Sequence, residues 1–294
     1  MRNLFNVLRF ILRHPLSGRH KAAALRRFFY YQINRVFNSF PIVFQWTDRT
    51  VLIIEKDMAG ATGNLYCGLH EFEDMSFLLH FLRDQDLFVD VGANIGSYTI
   101  LASGQIGCRT IAFEPVPATF TRLKNNIAIN HISDKVEALN VGIGSISTKI
   151  RFSIDQDSAN HVLVENETSP SIEIAVETLD QLLGQHFPAL IKIDVEGYES
   201  EVLKGANNIL SNPGLQAIII ELNGSGRKYG YNDDDIHQSL IRKGFQSVEY
   251  LPFERQLKDK LIYGDMNTIY VKDKNKVNER LTTSQGYTLF GEHI

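Results

Sequence analysis

Several things are scarce in this sequence. There are two cysteines, Cys67 and Cys108, in 294 residues. They lack metal-ligand spacing and are too few for a disulfide framework, so a disulfide-stapled secreted scaffold is excluded. Two reduced thiols in a cytoplasmic protein are the expectation. No apolar run approaches the ~20 residues of a membrane span. The opening MRNLFNVLRFILRHP is interrupted by Arg9 and Arg13, where a signal peptide needs an unbroken apolar stretch. There is no low-complexity tract and no repeat at a period of roughly 20–50 residues. Acidic charge is missing from one end only. Residues 1–47 contain no Asp or Glu but eight Lys/Arg (Arg2, Arg9, Arg13, Arg19, Lys21, Arg26, Arg27 and Arg35). Residues 48–294 hold the other 22 basic and all 34 acidic residues, so a head of +8 precedes a body of −12.

What is present is an ordinary globular balance, 44% hydrophobic and 22% charged, which rules out wholesale disorder. Three segments are expected: a basic helical extension (1–47), one α/β domain (48–273) and a weakly structured tail (274–294). The extension reads as two amphipathic helices, over 2–13 and about 21–37, bounded by Pro15, Gly18 and Pro41. From Leu87 apolar strands alternate with helices. Strands are predicted at 87–91, 110–113, 136–141, 189–194, 215–222, 245–251 and 267–271, with a β-rich excursion over 147–176. Such alternation implies a mostly parallel sheet with right-handed crossovers.

Four strand ends carry candidate chemistry. In Leu87–Thr99 (LFVDVGANIGSYT), a buried strand ends near Asp90 and a turn with Gly92 and Gly96 opens a helix. Glycines there are read as removing Cβ atoms so that a ligand can lie against the backbone. The pattern is not G-x-G-x-x-G, because Asn94 stands where the second glycine would be. An acid two residues before the turn repels a pyrophosphate but suits a cationic ligand such as S-adenosylmethionine. Glu114, ending the next strand, is placed to accept ribose hydroxyls. Asn140 and Val141, after the third strand, are candidates for reading an adenine edge. Lys192, Asp194 and Glu196 alternate along the fourth strand and share a face by the period of two. A tight structural turn at Gly92–Gly96 and a structural Lys–Asp–Glu ion network at 192–196 are the plain alternatives.

These motifs, with Glu177–Leu183 (ETLDQLL), the run from Ile191 (IKIDVEGYESEVLKGA) and Gly264–Lys272 (GDMNTIYVK), resemble the FkbM family of S-adenosylmethionine-dependent methyltransferases, in order from about Phe88 to Lys272. The block from Tyr66 (YCGLHEFEDM) resembles a bacterial subset of it. The resemblance implies a Rossmann-like class I methyltransferase fold with a seven-stranded, mostly parallel sheet and helices on both faces. It implies S-adenosyl-L-methionine as cofactor and methylation of a hydroxyl on a sugar, glycan or secondary metabolite, as in polysaccharide biosynthesis. Asp90, Gly92, Asn94 and Gly96 are then expected along the methionine part and Glu114 at the ribose, with Ala93 and Pro115 also among the cofactor-binding residues.

Since an alcohol is a poor nucleophile, a base or a metal should assist. Asp194, Glu196 and His161 are the catalytic candidates, with His70 and Glu71 weaker. Glu71 is also a candidate cap for the helix that follows it. Asp155, Asp157 and Asp194 could together offer a divalent cation its oxygen ligands, but no metal is assigned. A Rossmann-type NAD(P)-dependent oxidoreductase and a non-catalytic S-adenosylmethionine-binding module are the rival readings. The acidic body argues against a nucleic-acid partner. The basic head is expected to pack or homodimerise through residues 1–40, or else to contact a membrane peripherally at its cytoplasmic face.

Overall fold

The structure is a computed structural model and describes residues 2–56, 58–154, 160–164, 167–264 and 266–294. The chain opens with α1 (Arg2–Arg13) and α2 (Lys21–Phe37), then a hairpin of β1 (Ile42–Gln45) and β2 (Val51–Ile54). Helices α3 (Ala59–Cys67) and α4 (Phe72–Phe81) lead into β3 (Leu87–Val91). Helix α5 begins at Ser97–Thr99 and runs on as a π-helix over Ile100–Ile106. Next come β4 (Arg109–Phe113), α6 (Pro117–Ile129), β5 (Val136–Leu139), β6 (Gly142–Ile143), β7 (Thr148–Ser153) and β8 (Ser171–Glu177). After α7 (Leu179–Leu183) follow β9 (Leu190–Ile193), α8 (Glu199–Lys204), α9 (Asn207–Ser211) and β10 (Ala217–Glu221). The chain continues through α10 (Asp233–Arg242), β11 (Gln246–Leu251), β12 (Gln256–Asp259), β13 (Asn267–Val271), α11 (Lys274–Thr282), β14 (Thr288–Leu289) and β15 (Glu292–His293).

The main sheet has the order β12-β11-β13-β10-β9-β3-β4-β5. Neighbours from β10 to β5 are parallel, and β13 enters antiparallel between β10 and β11. The seven expected strands are all there. An eighth, β12, is added at the edge by a hairpin from β11; only Leu257 of its four residues is buried, so it left little pattern to read. Burial explains the central strands. Alternate residues of β10 join opposite cores, Ala217 and Ile219 on one face and Ile218 and Ile220 on the other. A strand covered on both faces needs apolar residues throughout. The excursion forms a separate sheet, β6-β8-β7, beside the carboxyl ends of the main strands.

The expected long helix after β9 is instead two short ones. A Cβ at Gly205 would stand 2.0 Å from the Gly144 carbonyl oxygen, so the break lets the chain pass close to the β6 turn. On the opposite side, Asn126 and Asn130 of α6 satisfy the free edge of β2. Each accepts a backbone N–H, from Ile53 (2.9 Å) and Val51 (2.8 Å) respectively.

The tail is not weakly structured. Val277, Leu281, Leu289 and Ile294 are buried in the main core, and Arg280 donates to the Phe81 carbonyl at 2.9 Å. The head belongs to the same core through Ile11, Leu16, Ala24, Phe28 and Tyr31. Arg27 ties it down by donating to the Tyr66 carbonyl (2.7 Å) and lying 3.9 Å from the ring centre of Phe290. One face of α2 is thus integral and the other is bare: Phe28 is 2% exposed and Phe29 57%. Phe28→Ala should cost about 3–5 kcal/mol, whereas Phe29→Ala should change stability by less than about 0.5 kcal/mol. Urea unfolding of the two variants checks this; equal midpoints would mean that α2 is not packed as described.

Candidate active site

A cavity of about 270 Å³ lies beyond the carboxyl ends of β3, β4, β9 and β10, the place where open α/β sheets hold ligands. Its floor comes from the strand ends. Its cover comes from the start of α3, the α3–α4 turn (His70 and Glu71), and apolar residues of β7 and β8 (Ile150, Phe152, Ile174 and Val176).

The floor is organised by one lysine. Parallel pairing sets Lys192 of β9 beside Asp90 of β3, on the same face of the sheet. Lys192 is 4% exposed; it donates to Asp194 at 2.7 Å and sits 4.7 Å from the ring centre of Tyr98. Burial opposes its charge, but Asp194, Glu71 and Asp90 outweigh burial and hold the ammonium above its ordinary value. Asp90 is itself 1% exposed and accepts from the Thr99 hydroxyl at 2.7 Å. Burial raises its carboxyl, with Lys192 and Thr99 opposing.

The glycine turn departs from expectation. A Cβ at Gly92 would stand 1.8 Å from the Asp194 carbonyl oxygen, and one at Gly96 2.5 Å from Leu123. Both have positive φ, 79° and 93°. Their first duty is therefore to the protein, packing the β3 turn against the end of β9 and against α6, rather than clearing room for a ligand. Asn94 also has a reason to be there. It takes the left-handed conformation at φ 52°, which asparagine tolerates. Its N–H then donates to Glu114 Oε2 at 3.0 Å, while the Val116 N–H donates to Oε1 at 2.9 Å. Each carboxylate oxygen of Glu114 keeps a free lone pair. Burial pushes the Glu114 carboxyl up to about 7, against these two bonds.

Ala93, Pro115 and Val141 line the cavity, as do Gly92 and Asn94. Gly96 and Asn140 do not. The Asn140 amide donates to the carbonyls of Glu114 (2.8 Å) and Pro115 (2.9 Å), so it fixes the Glu114 loop from behind. His161 is also outside the wall. Its neighbours Asn160 and Val162 line the cavity, whereas its Nε2 lies 3.1 Å from Glu167. His161 is nevertheless near enough to oppose the upward push on the Glu196 carboxyl. Asp155 and Asp157 lie outside the described residues.

His70 and Glu71 do reach the wall. Gly63 makes room for His70, since a Cβ there would fall 2.0 Å from its Nδ1. Glu71 occupies the cap position of α4 but makes no capping bond; it accepts from the Tyr98 hydroxyl at 2.6 Å.

Sequence reasoning missed Glu221. It ends the most apolar strand, Ala-Ile-Ile-Ile-Glu, and the strand-end rule applied to Asp194 also points to it. Carboxylate oxygens of Asp194, Glu196 and Glu221 lie within 4.8 Å of one another. Three negative charges so close cannot all persist without a cation or a proton. Burial, then Asp194, Glu196 and Glu199, push Glu221 up to about 9. Burial and then Asp194 push Glu196 up to about 7. Glu196 sits at φ 53°, in a turn that Glu199 braces by accepting from the N–H groups of Val195 and Gly197 (3.2 and 3.1 Å).

The lining holds six carboxylates (Glu71, Asp90, Glu114, Asp194, Glu196 and Glu221) and one ammonium, Lys192. Such a site attracts cations and repels a pyrophosphate, which counts against the nicotinamide reading.

The same charges set a pH dependence. Glu114, Glu196 and Glu199 titrate near 7 and Glu221 near 9, against 4.5 for an ordinary Glu. The native state then binds more protons than the unfolded chain, and stability falls as pH rises through these values. His14 and His80 act in the opposite sense and lower down: burial pushes both to about 4, so their contribution is complete above 6.5 and lost as pH falls toward 4. Ligand-free protein should therefore lose stability between pH 7 and pH 9, with Glu221→Gln flattening the slope. Thermal midpoints read it out; a stability that rises over this range would contradict the assignment.

Comparison with known proteins shows the family. Residues 90–247 match the methyltransferase FkbM domain model, more than half the chain, and the chain belongs to that family. The hexuronic acid methyltransferase AglP of Haloferax volcanii is 34% identical over 154 residues, covering 52% of this chain and 62% of that protein. The match thus spans less than two thirds of that relative. The 31-O-demethyl-FK506 methyltransferase FkbM of Streptomyces tacrolimicus is 26% identical over 186 residues, 51% of this chain and 71% of that one. A solved rRNA methylase from Streptococcus thermophilus aligns at 15% identity over 68% of this chain and 93% of its own, with a TM-score of 0.40, too slight to carry an argument.

Proposed function

We propose that this chain transfers a methyl group from S-adenosyl-L-methionine to a hydroxyl oxygen of a sugar, glycan or secondary metabolite. The observation that carries the reading is the cavity itself: six carboxylates around one buried lysine, at the strand ends of an FkbM-family domain. The donor set fits the cofactor, whose ammonium and sulfonium are cations and which bears no phosphate. When bound, S-adenosylmethionine supplies an already activated methyl group, so the protein's task is chiefly positioning and deprotonation.

Each residue then has a part. Glu114 would take the ribose hydroxyls on the lone pairs left by the Asn94 and Val116 N–H groups. Asp90 and Asp194 flank Lys192, which donates to Asp194 and opposes the upward push of burial on Asp90. Glu196, near 7, is matched to the work of a general base at neutral pH. Glu196 would take the hydroxyl proton as the acceptor oxygen bonds the methyl carbon, the carbon–sulfur bond breaking with its electron pair leaving on S-adenosylhomocysteine. Glu221, protonated at neutral pH, is a donor able to orient the acceptor. A neutral hydroxyl suits this wall better than a carboxylate would, since a carboxylate acceptor would add one more negative charge. The reading also includes a cytoplasmic setting, which free, buried Cys67 and Cys108 fit.

Glu196→Gln should lower methyl transfer about 10²–10⁴-fold, with cofactor affinity kept within about three-fold. In the unaltered chain kcat/KM should rise with pH through about 7, as Glu196 loses its proton, and level off above it. S-adenosylhomocysteine release measured over a panel of hydroxylated sugars and polyketide alcohols tests both statements. No turnover with any acceptor despite cofactor binding would favour a non-catalytic binding module. An undiminished rate in Glu196→Gln would remove the base from Glu196.

A further inference from the structure

We infer that the basic head is a docking surface for an anionic lipid membrane. The head is held to the domain by one side of its helices, through Ile11, Ala24, Phe28 and Tyr31. The other side of α2 leaves Phe29, Tyr30, Ile33, Val36 and Phe37 exposed, between 50% and 80% each. At ~100° per residue these five occupy roughly one third of the helix circumference, a continuous apolar stripe. On α1, Leu4 and Phe5 are exposed at 49% and 68%. Cations lie beside these stripes. Arg9 and Arg13, one turn apart, edge an open notch with Asn6, Phe10 and His14. Arg26 sits one turn before Phe29 and Tyr30. Among the described residues Arg9, Arg13, Lys21 and Arg26 have no acidic partner.

Charge selects the occupant. A symmetric contact between two copies sets the same patch against itself. It would set Arg9, Arg13, Lys21 and Arg26 of one copy against those of the other, with no acid in either head to pair them. An anionic bilayer supplies both missing complements at once, headgroup charge for the arginines and an apolar boundary for the stripe. No helix among the described residues is long and apolar enough to cross a membrane, so the contact is interfacial. The body, at −12, is repelled by the same surface, so only the head can dock and the chain is oriented by it.

The test is co-sedimentation of the full chain with vesicles of phosphatidylcholine alone and of phosphatidylcholine mixed with phosphatidylglycerol. The chain should pellet with the anionic vesicles only, and be released when salt is raised from about 0.05 to 0.5 M. Arg9→Gln/Arg13→Gln/Arg26→Gln should weaken partitioning at least about ten-fold. Phe29→Ser/Ile33→Ser/Phe37→Ser, which leaves every charge in place, should also weaken pelleting with the anionic vesicles at about 0.05 M salt. All these side chains lie outside the core, and circular dichroism should show both variants folded. Three results would overturn the inference: no pelleting with anionic vesicles at low salt; equal pelleting with both vesicle types; or a dimer by light scattering that the apolar variant dissolves while vesicles bind neither form.

Discussion

The arrangement at the strand ends depends on one buried ammonium. Lys192 is set by β-pairing next to Asp90 and bonded to Asp194 two residues on. Without it, the floor would hold buried carboxylates with no internal cation. Breaking a buried pair from one side typically costs about 3–5 kcal/mol, so the lysine is as much a folding constraint as a chemical one. It does not neutralise the site. Six carboxylates face one cavity, and burial leaves several of them partly or wholly protonated at neutral pH. The excess of carboxylates over ammonium is thus met by protons, and an entering cation would displace them.

That excess links stability to function. Raised carboxyl pKa values are a cost of burial, tolerated where a group must exchange protons or meet a positive ligand. Glu196 and Glu221, both raised, stand with Asp194 in a cluster whose carboxylate oxygens lie within 4.8 Å of one another. Glu114 differs from them. Its two backbone bonds fix its geometry and partly offset burial, which suits a group that holds rather than reacts.

Much of this was legible in the residues. Alternation and apolar runs marked the seven strands, because strands buried on both faces tolerate little else. The strand-end acids Asp90, Glu114, Asp194 and Glu196 were legible for the same reason: charge at the edge of an apolar run is costly unless used. Other features were hidden by their physics. Helix α11 has only Val277 and Leu281 buried, so no wide apolar stripe announced it. The roles of Gly92 and Gly96 depend on how close Asp194 and Leu123 come, a tertiary fact. Asn140 has a chemistry-bearing side chain, but which way it turns is decided by the Glu114 loop. Glu221 obeys the strand-end rule too, since it ends the apolar strand β10. The charge split between head and body was plain from the start. What the fold added is that the head is anchored on one side and bare on the other.

The central claim is that the cavity is built for a cationic, phosphate-free adenosyl cofactor. Calorimetric titration of the full chain with S-adenosylmethionine, S-adenosylhomocysteine and NAD tests it most directly. The account predicts saturable binding of both adenosyl ligands and none of NAD. Binding of NAD with no binding of S-adenosylhomocysteine would contradict it.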